Sequence, residues 1–262
     1  MTKAHARFSI GIDLGTTNSA VAFAPLVGEG TPEILFVPQW ESLAGLTEEP
    51  TLPSFLYLPE EAAAAYFRGK DVGAEEWVVG RFARIKASET PGRVVHSAKS
   101  WLCHHAADRS EPFLPWGSTD LTREQKISPV RASALILNYV RGTWNSRFAQ
   151  AGFAFDDQEI TVTVPASFDA AAQRLTIAAA EEAGFPKDVR LLEEPQAAFC
   201  CRYLAKEYGW AKSGSLHGKL SIIRRPGPLS RTSSLMPCSS LIAAAMLRPS
   251  PLPVEERLRS SR

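Results

Sequence analysis

The first clear hydrophobic pattern is FSIGIDLGTTNSAVAFA, residues 8–24, in which Phe8, Ile10 and Ile12 alternate with Ser9 and Gly11. A Gly/Thr/Asn turn then leads into alternating Val21 and Phe23, so the stretch predicts a β-hairpin with one apolar face. A third strand is expected over 33–37. Residues 40–127 mix a Pro-rich extended stretch (LTEEPTLPSFLYLP), an Ala-rich patch and a basic segment (RFARIKASETPGRVVHSAKSWL), and read as a smaller α/β insertion. Ser128 then stands as a helix cap with Pro129 at the first position. Val130, Ala134, Leu137, Val140, Trp144 and Phe148 recur at helical spacing until Gly152. Ile160, Val162 and Val164 alternate with threonines in a strand that stops at Pro165. Asp169 is placed to cap a second helix over 170–183, closed by Gly184 and Pro186. A short strand over 189–192 leads into a third helix over 193–210. The order βββαβαβα predicts a mixed sheet with helices on its faces.

The pattern is lost after Lys212. Residues 213–262 hold eleven Ser, seven Arg and six Pro without a sustained period of 2 or 3.6, and are expected to form a disordered tail, because such a segment buries too little apolar surface to offset its ordering entropy. Charge follows the same division. The net charge of the whole chain is +1, but the last fifty residues hold eight Lys/Arg against two acidic residues. The remainder is therefore slightly acidic, and no general attraction to nucleic acid or to an anionic membrane is expected. The N-terminus lacks the apolar core of a secretory signal. The longest late apolar run, 241–247, is far below the ~20 residues that span a bilayer, so a cytoplasmic location is expected. Cys103, Cys200, Cys201 and Cys238 have no disulfide-framework spacing and read as reduced thiols. Cys103-His104 lacks a CxxC or HxxxH partner and is not read as a metal site.

The densest chemistry lies at Asp13-Leu14-Gly15-Thr16-Thr17-Asn18. A carboxylate at a strand end, followed by a tight glycine turn and hydroxyls, suits a metal-phosphate ligand. Gly15 lets backbone approach phosphate oxygens, the Thr hydroxyls and backbone N–H groups can donate to them, and Asp13 would face Mg2+ through water. Alone, the same residues could be an ordinary hairpin turn. The wider string IGIDLGTTNSAVA closely resembles the first phosphate loop of the 70-kDa heat-shock (DnaK-type) chaperones. TVTVPASFDAAAQRLTIAAAEEAGF is similar to their strand–proline–helix segment, and LLEEPQAAF to their Glu-Pro-x-Ala-Ala segment. The resemblance covers about residues 7–210, weakly through 40–127.

The resemblance implies an α/β fold: an actin-like (ribonuclease H-like) ATPase lobe with a mixed five-stranded sheet, flanking helices and a small α/β insertion. It implies ATP and Mg2+ as ligands, with Asp13 near the magnesium through water, and Gly15, Thr16, Thr17 and Asn18 at the phosphates. Catalytic roles fall to Thr16 and to Glu194, which would place the metal's water shell and the attacking water. Pro165 and Pro195 match prolines that relay nucleotide state. Unfolded polypeptide and co-chaperones are the implied partners. The family's catalytic lysine, in a Gly-x-x-Ala-Lys stretch, is matched here by Arg84 in Gly80-Arg81-Phe82-Ala83-Arg84. Arginine keeps the charge but is no compact ammonium.

The family's second phosphate loop, Asp-x-Gly-Gly-Gly-Thr, has no counterpart, since no two glycines are adjacent in the 262 residues. The expectation is thus a truncated chaperone ATPase domain: lobe one over 1–212, with the insertion at about 40–127, and a tail over 213–262 that reads as translation in a shifted frame or as an evolved short form. Such a chain would lack competent ATPase activity. Two alternatives stand beside it, a non-catalytic interaction module and a fragment of an actin-superfamily sugar kinase.

Overall fold

The computed structural model describes residues 6–27, 32–43, 45–67, 76–104 and 108–198. The expected helix beyond 198, three of the four cysteines (Cys200, Cys201, Cys238) and the whole 213–262 tail lie outside them. In chain order, the first half holds β1 (Phe8–Asp13), β2 (Asn18–Pro25), β3 (Glu33–Ile34), β4 (Val37–Ser42), β5 (Gly45–Glu49), β6 (Leu52–Pro53) and β7 (Phe55–Tyr57). There follow α1 (Glu61–Phe67), β8 (Val78–Val79), α2 (Arg81–Glu89), β9 (Val94–His96) and α3 (Ala98–Trp101). The last part holds α4 (Pro129–Phe148), β10 (Glu159–Val164), α5 (Ala170–Glu182) and β11 (Arg190–Glu193).

The main sheet runs β11-β10-β1-β2-β3. β1 and β2 form the expected antiparallel hairpin, with Asp13 opposite Ala20. β10 lies parallel to β1 and β11 parallel to β10. The mixed character is as expected, but β6 also pairs with β2 at Asn18 and Ser19, which makes the sheet six-stranded. The third strand is shorter than expected: β3 has two residues, and Val37 instead opens a separate hairpin, β4-β5. Leu35 and Val37 are fully buried there, so the chain leaves the sheet edge and drops into the core. A second small sheet, β8-β7-β9, carries α2.

Burial of the central strands differs from a one-faced hairpin. Ile10, Ile12, Val21 and Phe23 enter the main core, as their alternation predicts, but Ser9, Ala22 and Ala24 on the opposite face are fully buried too. Small side chains allow close cover on that side. Helix α4 is also buried more widely than one stripe, with every residue from Ala132 to Leu137 inside, because it is wedged among the sheet, α5, α3 and the β4 hairpin. Tyr139 on α4 donates its hydroxyl proton to the Pro38 carbonyl at 2.7 Å. Trp144, Phe8, Phe23 and Phe148 form an aromatic knot between α4 and the hairpin, with ring centroids 4.4–6.3 Å apart.

Both expected caps are present. Ser128 Oγ accepts from Arg131 N–H at 3.0 Å and Asp169 Oδ1 from Ala172 N–H at 2.7 Å, relieving one orphan donor at each helix start. Gly152 and Gly184 take positive φ at the helix ends. Among the described residues, no helix is long and apolar enough to cross a membrane.

Candidate functional site: a glycine loop at the strand ends

Parallel pairing brings the C-terminal ends of β1, β10 and β11 to one edge. Asp13 is level with Thr163, and Thr163 with Leu192. Glu194 follows two residues on, at the start of a helical segment that is described over 194–198. Two strand spacings of ~4.8 Å across and two residues of ~3.3 Å along place the Asp13 and Glu194 α-carbons about 12 Å apart. Strand ends of such sheets are where ligands bind in α/β folds.

Asp13 is 8% exposed, and one of its carboxylate oxygens accepts from Thr163 Oγ1 at 3.0 Å. The loop after it is pinned by two serines. Gly15 donates its N–H to Ser19 Oγ (3.3 Å), and Ser54 donates its hydroxyl to the Gly15 carbonyl (2.7 Å). The two hydroxyls lie 3.0 Å apart, and Ser54 N–H reaches the Thr17 carbonyl at 2.8 Å. The Gly15 N–H is therefore engaged within the protein. Gly15 is required by close approach, because a Cβ there would sit 2.0 Å from the Asn18 carbonyl oxygen. Thr16 and Thr17 are exposed at the tip, and Asn18 half-buried.

Glu194 accepts from Lys99 Nζ at 2.5 Å; the Lys99 side chain is only 7% exposed and that of Glu194 38%. Arg84 does not share in this. It is exposed on α2, and among the described residues the cation that reaches Glu194 is Lys99. Helix α2 nonetheless sits beside the loop's support: its N-cap Gly80, at φ 95°, packs on Gln39 and on Leu52 of β6. Gln39 is fully buried and ties the two segments, donating to the Thr51 carbonyl (2.8 Å) and accepting from Arg81 N–H (3.0 Å).

Lys99, Ser54 and Thr163 were not singled out in the sequence. Ser54 and Lys99 lie in the stretch whose elements were least periodic, and a single serine or lysine carries no local signature. Their partners are 39 and 95 residues away in sequence, so only folding joins them.

No family model matches the chain, but curated relatives do. It is 34% identical over 202 residues to a chaperone protein HscA homolog of Photobacterium profundum, covering 73% of this chain and 28% of that protein. The HscA homolog of Bordetella pertussis is 33% identical over 199 residues, covering 73% and 27%. That of Actinobacillus pleuropneumoniae serotype 5b is 34% identical over 202 residues, covering 73% and 28%. The chain carries the N-terminal region of a 70-kDa heat-shock-type chaperone. It spans little more than a quarter of the length of these relatives. Membership in this family implies an actin-like ATPase lobe, with which the mixed sheet and flanking helices agree.

The groups gathered at the strand ends are of a kind that suits a metal-bound polyphosphate. Their donors are hard oxygens, from Asp13, the two exposed threonines and Glu194, as magnesium and its water shell require. The Cβ position at Gly15 is taken by the Asn18 carbonyl oxygen, so glycine is what lets the turn close and carry the two threonines at its tip. A hollow of about 360 Å³ lined by Ala170, Gln173, Arg174, Ile177 and Leu191 includes none of these residues and lies against α5.

Proposed function

We propose that residues 13–18 and Glu194 form the first-lobe phosphate side of an Mg·ATP site in a chaperone of the 70-kDa heat-shock type. The observation that carries this reading is the loop itself: a buried strand-end carboxylate followed by a glycine with no room for a side chain and two exposed hydroxyls. The strand order, antiparallel at β1-β2 and parallel from β1 to β11, supports the actin-like lobe. When bound, Mg2+ would neutralise phosphate charge and hold ordered water. Asp13, fixed by Thr163, orients that water shell. Thr16 and Thr17 donate to phosphate oxygens. Glu194 accepts a proton of a metal-bound or attacking water. Arg84, one turn into α2, supplies positive charge on the insertion side. In the whole protein, ATP turnover would drive the binding of unfolded polypeptide with co-chaperones, in the cytoplasm.

Calorimetric titration of the 262-residue chain with ATP, with and without Mg2+, tests the site. Binding in the millimolar range or weaker is expected, because one lobe supplies only part of the contacts and each tenfold is about 1.4 kcal/mol. Asp13→Ala should abolish the Mg2+-dependent part. Binding indifferent to both Mg2+ and Asp13→Ala would refute the assignment.

A further inference from the structure

Lysine is rarely buried without a reason, since its ammonium loses hydration and must be compensated by a partner. Lys99 is such a case: its side chain is 7% exposed and its Nζ lies 2.5 Å from Glu194 Oε1. The pair joins α3, in the first half of the chain, to the helix start that follows β11, across 95 residues. The two ends of the pair are unlike. The lysine is enclosed, whereas the glutamate keeps more than a third of its side-chain surface open, and of its two carboxylate oxygens the ammonium engages Oε1. The backbone leading to Lys99 is also set specially. Ser97, two residues earlier, holds φ 57°, an uncommon left-handed conformation for a residue with a Cβ, which persists where the surroundings over-determine it. Helix α3 has only four residues and packs on α4, so Lys99 is delivered from a short, braced element.

We infer that Lys99 is a positioning residue for Glu194, fixing the carboxylate through one oxygen so that the other can serve the water shell of bound Mg2+. The inference rests on the Mg·ATP reading above. Lys99 acts through Glu194 and does not itself touch phosphate. Its charge is neutralised by the carboxylate and its ammonium is enclosed, whereas a phosphate-binding lysine would present a free ammonium at the open side.

The test is a double-mutant cycle on the full chain with Lys99→Met, Glu194→Gln and both. Kd values are measured by amide NMR at Gly15, Thr16 and Thr17, for ATP with Mg2+ and for ATP with EDTA. Each single variant should weaken Mg·ATP roughly fivefold, and the double no more than either, since both break one interaction. Metal-free ATP should bind as to the unsubstituted chain. Lys99→Arg, which keeps a cation able to hold a carboxylate, should bind Mg·ATP within about twofold of the unsubstituted chain by the same coupling logic. Equal weakening with and without Mg2+ would mean a purely structural role. A larger loss for metal-free ATP would mean direct phosphate contact, and additive losses would mean independent residues. Each of these outcomes overturns the inference. Should Lys99→Met not fold, Lys99→Leu, which also removes the donor to Glu194, takes its place in the cycle. Mg·ATP binding that Asp13→Ala abolishes and Lys99→Met leaves unchanged overturns this inference alone. No Mg·ATP binding by the unsubstituted chain overturns both readings.

Discussion

Gly15 shows how one residue can be fixed by what its neighbours do. Its φ is unexceptional, but the loop folds so tightly that a β-carbon would meet the Asn18 carbonyl oxygen at 2.0 Å. That neighbour is backbone and cannot swing aside, so Gly15→Ala must reshape the whole turn. Chemical denaturation should report a loss of about 1–3 kcal/mol, the usual cost of forcing an extra methyl into a packed place, and Mg·ATP binding should fall with it. A variant as stable as the parent would show that the loop is looser than this. The turn that carries Asp13, Gly15 and the two threonines was legible in the sequence because it is local and close approach dictates the glycine. The serine pair that holds it was not, since Ser54 arrives from β6 and β7, 39 residues on. Arg84 was legible as a cation, but its exposure on α2 and the presence of Lys99 at Glu194 were not.

At the scale of elements, α4 and α5 follow their sequence signals closely. Caps, periodic apolar positions and terminal glycines agree with one another, and the structure adds only that α4 is enclosed on several sides. Asp169 offers a direct check. Its carboxylate accepts one of the unpaired N–H groups of α5 at 2.7 Å, and α5 shapes the face behind β10 and β11. Asp169→Ala should cost about 1 kcal/mol in urea unfolding, the typical value of an N-cap, while leaving Mg·ATP affinity unchanged. A cost near zero would mean that the helix start is held by tertiary packing. The stretch from 33 to 102 was less readable. Its strands are two to six residues long and pair with distant or separate partners, so no run is long enough to declare a period. The departure of Val37 from the sheet and the addition of β6 to it are settled by burial of Leu35, Val37 and Leu52, which is a property of the assembled core.

At the scale of the molecule, the proposed reading makes residues 13–18 and Glu194 one face of a site. Phosphoryl transfer depends on positioning and charge stabilisation from several directions, and the 262 residues contain no second glycine-rich loop with adjacent glycines. A polypeptide of this sequence alone is therefore expected to release phosphate from ATP no faster than buffer, with or without Asp13. Steady-state phosphate release on the purified chain checks this. Turnover above buffer that Asp13→Ala removes would show that the first-lobe residues suffice for hydrolysis.

The sequence by itself determined the hairpin, its tight glycine turn, the capped helices and the family, because each depends on residues near one another in the chain or on motifs in a fixed order. Only the tertiary structure decided which groups stand around the loop. Thr163 reaches Asp13 from 150 residues away, Ser54 braces Gly15 from 39, and Lys99 holds Glu194 from 95. Such contacts leave no period and no local signature. They exist because parallel strands end at one edge and because a buried charge or hydroxyl must find its partner wherever the fold brings one.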